Sequence, residues 1–253
     1  MKRVRWWLFV GWMFGSCGVN VAQPKPPADV IFRPTVLTAD LSYSAGMAFR
    51  MKKDESSLHY LVTAHSLFGP AADLDVQMTG VDIERVVVAL VGVSCTDPRA
   101  VVVARRYMLL PDARRSDEKG AEKDIALFEL PARLGERALA LDRSPPLRGD
   151  KVWIYVKYAG SGRVGLEPAM VAWVSDQEVR YVLENQAVDL RGAMGAPVLS
   201  TEGTVMGMHL GIFTSASGRK FGYACPAGAI ADVLDPNQEK PASVMKPSIP
   251  VKN

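Results

Sequence analysis

Three stretches of this 253-residue chain hold residue types that acyl-transfer chemistry uses. His65 closes Leu61-Val62-Thr63-Ala64-His65. Asp124 opens Asp124-Ile125-Ala126-Leu127-Phe128-Glu129-Leu130. A glycine turn, Leu190-Arg191-Gly192-Ala193-Met194-Gly195-Ala196-Pro197, comes later in the chain. Hydrolysis through a side-chain nucleophile needs a proton-bearing attacking atom, an imidazole to take and return the proton, a carboxylate to fix the imidazole tautomer, and backbone N–H donors for the oxyanion. The three stretches offer the imidazole, the carboxylate and a turn able to direct amides. In that turn stands Met194, whose thioether has no proton to give up and attacks amides poorly. Ser200 lies past the turn on the following strand, and Ser66 neighbours His65, where alternation along a strand turns it to the opposite side. Read singly, His65 also fits a buried structural histidine, and Asp124 a solvated strand cap.

Taken together and in this order, the stretches resemble the histidine strand, the aspartate strand and the nucleophile loop of trypsin-like serine proteases, in the bacterial branch of the chymotrypsin clan. Two further segments carry the resemblance. Val198-Leu199-Ser200 and Glu202-Gly203-Thr204-Val205-Met206-Gly207-Met208 are similar to the hairpin after the nucleophile loop. Phe221-Gly222-Tyr223-Ala224-Cys225-Pro226-Ala227 is similar to the last strand before a terminal helix. The resemblance spans residues 36–234 and implies an all-β fold of two six-stranded antiparallel β-barrels with a short C-terminal helix. It implies that His65 and Asp124 sit on the first barrel as base and orienting acid. It places Met194 on the second, where the family has its serine, and the amides of Gly192 and Met194 at the oxyanion-hole position. His209 falls in a strand the resemblance puts near the substrate pocket, but the residues there match no specificity class. Loss of such a serine costs on the order of a million-fold in turnover, roughly 8–9 kcal/mol of transition-state stabilisation.

The elements needed to position these groups are visible as short β-branched or aromatic runs bounded by Gly, Pro and Asp. They predict strands at 44–51, 58–63, 83–93, 100–109, 124–130, 151–156, 165–174, 179–185, 196–199, 204–210 and 219–225. Residues 226–234 read as a closing helix of about two turns. The charged stretch 111–123 reads as an exposed loop.

With 48% hydrophobic residues the chain can bury a real core, and 30 basic against 27 acidic residues give no electrostatic case for nucleic acid. Lys2, Arg3 and Arg5 precede the apolar run from Trp6 to Phe14, the pattern of an export signal too short to be an ordinary transmembrane helix. Phe14-Gly15-Ser16-Cys17 resembles a bacterial lipobox. The chain therefore divides into a signal at 1–22, a Pro-rich tether at 23–34, the double-barrel domain at 35–236 and a disordered tail at 237–253. Lipidation of Cys17, cleavage near Ala22 and an uncleaved anchor are the alternatives for the N-terminus, with the protein placed in the periplasm or on a membrane of a bacterium. Cys95 and Cys225 could pair in an exported protein or remain buried thiols. No metal or cofactor is expected, since no metal-ligand cluster or phosphate loop appears.

The reading these features favour is an exported pseudoprotease that binds a peptide or protein in the inter-barrel cleft. The alternatives are an active trypsin-like endopeptidase and a structural envelope protein that binds no peptide.

Overall fold

The apolar runs form fourteen strands in two sheets, in a computed structural model that describes residues 22–52, 58–110, 112–116, 120–131 and 137–235. The signal segment up to residue 21, with Cys17, and the tail at 237–253 lie outside these residues.

The first sheet contains β1 (Ile31–Thr38), β2 (Ser42–Ser44), β3 (Ala48–Lys52), β4 (His59–Thr63), β5 (Val87–Ser94), β6 (Val101–Ala104), β7 (Arg106–Tyr107) and β8 (Ala126–Leu130). Its order is β6-β5-β1-β3-β4-β8-β7, with β2 paired to β1, all antiparallel and nearly closed. The second sheet is a closed six-stranded barrel of β9 (Lys151–Lys157), β10 (Val164–Val174), β11 (Val179–Leu183), β12 (Pro197–Leu199), β13 (Val205–Thr214) and β14 (Lys220–Pro226), in the order β10-β11-β14-β13-β12-β9. Closure gives each of the six strands a neighbour on both sides, although β13 runs on past β12 from Leu210 to Thr214. The closing helix α2 (Ala227–Leu234) buries Ile230, Ala231 and Leu234 against the barrel.

The larger apolar cluster runs from Ile31 and Phe49 in the first sheet to Tyr181 and Cys225 in the second, so the sheets share one interior. A smaller cluster around Phe32, Phe68 and Phe128 lies on the other side of the first sheet, where Phe68 stacks on Phe128 with ring centroids 5.9 Å apart.

Four sequence expectations need correction. First, β1 opens at Ile31, inside the stretch read as tether. Pro34 lies within β1 and is tolerated because β3 pairs only at 31–32 and β2 only at 35–37, leaving position 34 with β5 alone. Pro24 is also buried, near Gly203, so the chain is already docked before β1 begins. Second, the run read as a strand at 83–93 begins as a helix, α1 (Gly80–Val86). Thr79 accepts from the Asp82 amide through its hydroxyl while Asp82 accepts from the Thr79 amide, a reciprocal cap that outweighs the β-branched composition. Third, the run at 100–109 is divided between β6 and β7. Fourth, the charged loop before Asp124 is not wholly exposed: Ala121 is buried and donates its amide to Gln177 of the second barrel.

Candidate functional site

The glycine turn between β11 and β12 is shaped by sterics. Gly192 and Gly195 both have positive φ, +71° and +88°. A Cβ at Gly195 would lie 2.0 Å from the Met47 carbonyl oxygen and 2.9 Å from Thr63 Oγ1, so only glycine fits. Thr63 Oγ1 donates to that same carbonyl at 2.7 Å, and the Met47 amide donates to Met194 O at 2.7 Å. On the other side the Gly195 amide donates to His209 O at 2.8 Å. The turn is thus pinned by the first sheet at Met47 and by the second barrel at His209. Within it Ala193 N reaches Leu190 O and Ala196 N reaches Ala193 O. The amides of Gly192 and Met194 have no acceptor among the described residues. Met194 itself is half-buried against the shared core.

Arg33 on β1 reaches across to this turn. Its Nη1 donates to Gly46 O at 2.8 Å and to Gly192 O at 2.7 Å, and its Nη2 donates to Lys157 O at 3.2 Å. One guanidinium therefore joins the first sheet, the glycine turn and the end of β9. Nothing in the sequence pattern marked it, because an arginine on a strand is ordinarily a solvated residue.

Asp124, just ahead of β8, is fully buried. Its Oδ1 accepts from the Ser66 amide at 2.7 Å, and its Oδ2 accepts from Ser66 Oγ at 2.6 Å and from the Ser116 amide at 3.2 Å. Burial pushes the carboxyl pKa up, against these donors, which lower it.

His65 does not meet Asp124, contrary to expectation. The strand β4 ends at Thr63, and His65 opens a 3₁₀ turn, His65–Phe68. The resemblance pairs His65 with Asp124, and the two-residue alternation that turns Ser66 away from the His65 side ends with the strand at Thr63. The imidazole is buried, its Nδ1 has no hydrogen-bond partner among the described residues, and burial lowers its pKa to about 4, against a raising contact with the Met78 backbone. Ser66, set aside in the sequence reading, is the residue the aspartate holds.

His209 is buried on β13, its Nδ1 2.6 Å from Tyr181 Oη, and burial lowers its pKa to about 4 as well. Cys95 and Cys225, whose pairing the sequence left open, are both free and buried, and burial raises both thiol pKa values. Neither is poised as a thiolate.

Comparison with known proteins bears on the family and the fold. Residues 46–208 match the sequence profile described as the trypsin-like peptidase domain. No curated protein matches in sequence. Among solved structures, the active form of the Rv3671c protease from M. tuberculosis superposes with a TM-score of 0.54 at 15% identity, over 84% of this chain and 87% of that one. Its inactive form gives 0.51 at 16% identity, over 84% and 96%. A serine endoprotease from Yersinia pestis gives 0.53 at 13% identity, over 83% of this chain, which spans 62% of that protein. At such identities the likeness is one of fold. The profile match covers well over half of the sequence, and this chain belongs to the trypsin-like peptidase domain family.

Proposed function

We propose that this chain is a catalytically silent member of its family, exported, which keeps the inter-barrel cleft for binding a peptide or protein segment. The observation that carries the reading is the partner of Asp124. A triad aspartate works by holding an imidazole in one tautomer and stabilising its protonated form. Here that carboxylate accepts from Ser66 and Ser116 and from no histidine. A serine hydroxyl cannot serve as a general base near neutral pH. The glycine turn holds Met194, which has no proton to surrender, so neither an aspartate-held imidazole nor a proton-bearing nucleophile is in place.

Peptide binding needs neither. Strand β13 pairs with β12 only over its first half and with β14 as far as Thr214, so from Leu210 to Thr214 one edge has no strand partner among the described residues. Such an edge can accept an extended segment through backbone hydrogen bonds alone. Export rests on the N-terminal sequence pattern.

A fluorophosphonate probe, which labels activated serines, tests the catalytic half. The purified protein is expected to stay unlabelled. The Met194→Ser variant is expected to stay unlabelled too, because no imidazole touches the aspartate. The double variant Ser66→His/Met194→Ser restores both parts and is expected to gain labelling. Stoichiometric labelling of the wild type would overturn the reading. Labelling of the single Met194→Ser variant would show that a base other than the residue at 66 serves this site.

A further inference from the structure

A cleft of about 310 Å³ opens between the two sheets beside Gly192, walled by Gly46 and Ala72, and Arg33 is the cationic residue that lines it. The guanidinium is half-buried, and each of its acceptors, Gly46 O, Gly192 O and Lys157 O, is a neutral backbone carbonyl. Among the described residues no carboxylate lies within ion-pair distance of it. A half-buried cation whose acceptors are all neutral carbonyls has no ion-pair partner to offset its partial loss of water.

The unused donors are specific. A guanidinium carries five N–H groups. Two on Nη1 and one on Nη2 are engaged, which leaves the Nε–H and the second Nη2–H without an acceptor among the described residues. A guanidinium holds its donors in one rigid plane, and two of them together match the two oxygens of a carboxylate better than they match a single carbonyl. The unpartnered Gly192 amide lies at the same cleft and adds a further donor. Because the three carbonyls already fix the guanidinium, little side-chain entropy remains to be lost when an anion arrives.

We propose that the cleft beside Gly192 binds a carboxylate of a peptide ligand through the free edge of Arg33. This rests on the peptide-binding reading above and adds to it the chemical group recognised. The carboxylate has two sources, the C-terminus of a chain or an Asp or Glu side chain within one. Asp73 also lines the cleft and is exposed. Its charge opposes an anionic ligand, so removing it strengthens binding.

The test follows the Gly192 amide and Arg33 Nε–H resonances of the ¹⁵N-labelled full chain during titration with three probes. These are N-acetyl-trialanine as the free acid, the same peptide as its C-terminal amide, and N-acetyl-Ala-Glu-Ala-amide. The free acid is expected to shift both resonances and to bind about tenfold more tightly than its amide, in keeping with a charge-assisted bidentate contact. Tight binding of the glutamate peptide as well assigns a side-chain source, whereas binding of the free acid alone assigns a C-terminal one. Arg33→Lys keeps the charge but not the fork and is expected to abolish the discrimination. Asp73→Asn, an exposed change that leaves the fold alone, is expected to improve free-acid binding about threefold by removing a like charge. Equal binding of all three probes would overturn carboxylate recognition and leave the peptide-binding reading standing. Failure of every probe to bind would remove both.

Discussion

The glycine turn of the second barrel and the Asp124 corner of the first are built on different kinds of constraint. The turn is fixed by backbone: Met47 N to Met194 O, Gly195 N to His209 O, and a glycine where a Cβ would strike the Met47 carbonyl. None of these depends on the side chain at position 194. The corner is fixed by side chains, with Ser66 Oγ and the Ser66 and Ser116 amides converging on one carboxylate. The residue that carboxylate holds is Ser66, through both its amide and its hydroxyl. A turn shaped to direct two amides therefore says little about whether chemistry occurs. The partner of the aspartate says much more.

The sharpest way to break this contrast is to disturb the turn through its backbone. Gly195→Ala combines a left-handed φ with a Cβ 2.0 Å from a main-chain oxygen, so either the turn or β3 must move. A loss of at least about 4 kcal/mol is expected, enough to leave a marginal domain unfolded. Gly218→Ala is the control, since φ there is +79° but no atom lies within 4 Å of the added Cβ. It is expected to cost about 1 kcal/mol from backbone strain alone. Urea unfolding of both variants reads the difference. Equal losses would mean that the contact with Met47 does not constrain the turn.

A second comparison uses one buried histidine from each half, His65 and His209, each held neutral with its pKa lowered to about 4. In the unfolded chain a histidine titrates near 6.5. Between these values the unfolded state binds a proton that the folded state refuses. Stability is therefore fully present above about pH 6.5 and falls as the pH drops toward 4, by as much as about 3 kcal/mol per histidine. Asp124 and Glu167 act in the opposite direction: burial raises their folded pKa, so their contribution is present at low pH and lost as the pH rises through it. The net acid loss is what the histidines take beyond this return. Urea midpoints from pH 7 to pH 4 are expected to fall, and a His65→Gln variant is expected to fall less steeply. Parallel profiles for the variant and the wild type would mean that His65 titrates normally in the fold.

The same contrast governs how much could be read from the sequence. The turn was legible because glycine, alanine and proline at fixed positions report backbone geometry directly, and the double-barrel fold followed from the family resemblance that the turn and the other motifs carry. The strand positions of the second barrel were equally well marked by β-branched and aromatic runs between turns. The corner was misread at one residue. The resemblance pairs His65 with Asp124 and alternation turns Ser66 away, but the strand ends at Thr63 and the 3₁₀ turn re-aims the side chains after it. The signal that could have found α1, Thr79 three residues before Asp82, was outweighed by Val86-Val87-Val88 in the reading of residues 83–93 as a strand. Arg33 left no mark at all, since its three acceptors are carbonyls from segments far apart in the chain.

The smallest of the effects tests whether the corner is a stabilised network in its own right. Ser66→Ala removes the 2.6 Å hydroxyl bond to Asp124 Oδ2 while keeping the amide at position 66 on Oδ1. A hydrogen bond to a buried carboxylate is worth more than one between neutral groups, so a loss of about 2 kcal/mol near pH 7 is expected. The hydroxyl lowers the pKa of Asp124, so its removal raises that pKa further. Part of the 2 kcal/mol is therefore tied to the ionised carboxylate, and the cost is expected to shrink as the pH falls and the carboxyl takes up its proton. Urea midpoints of wild type and variant at pH 7 and pH 5 measure both parts. A cost that stayed constant with pH would place the hydroxyl on a group that does not titrate. No cost at all would mean that the two amides already satisfy the carboxylate and that Ser66 merely fills the space.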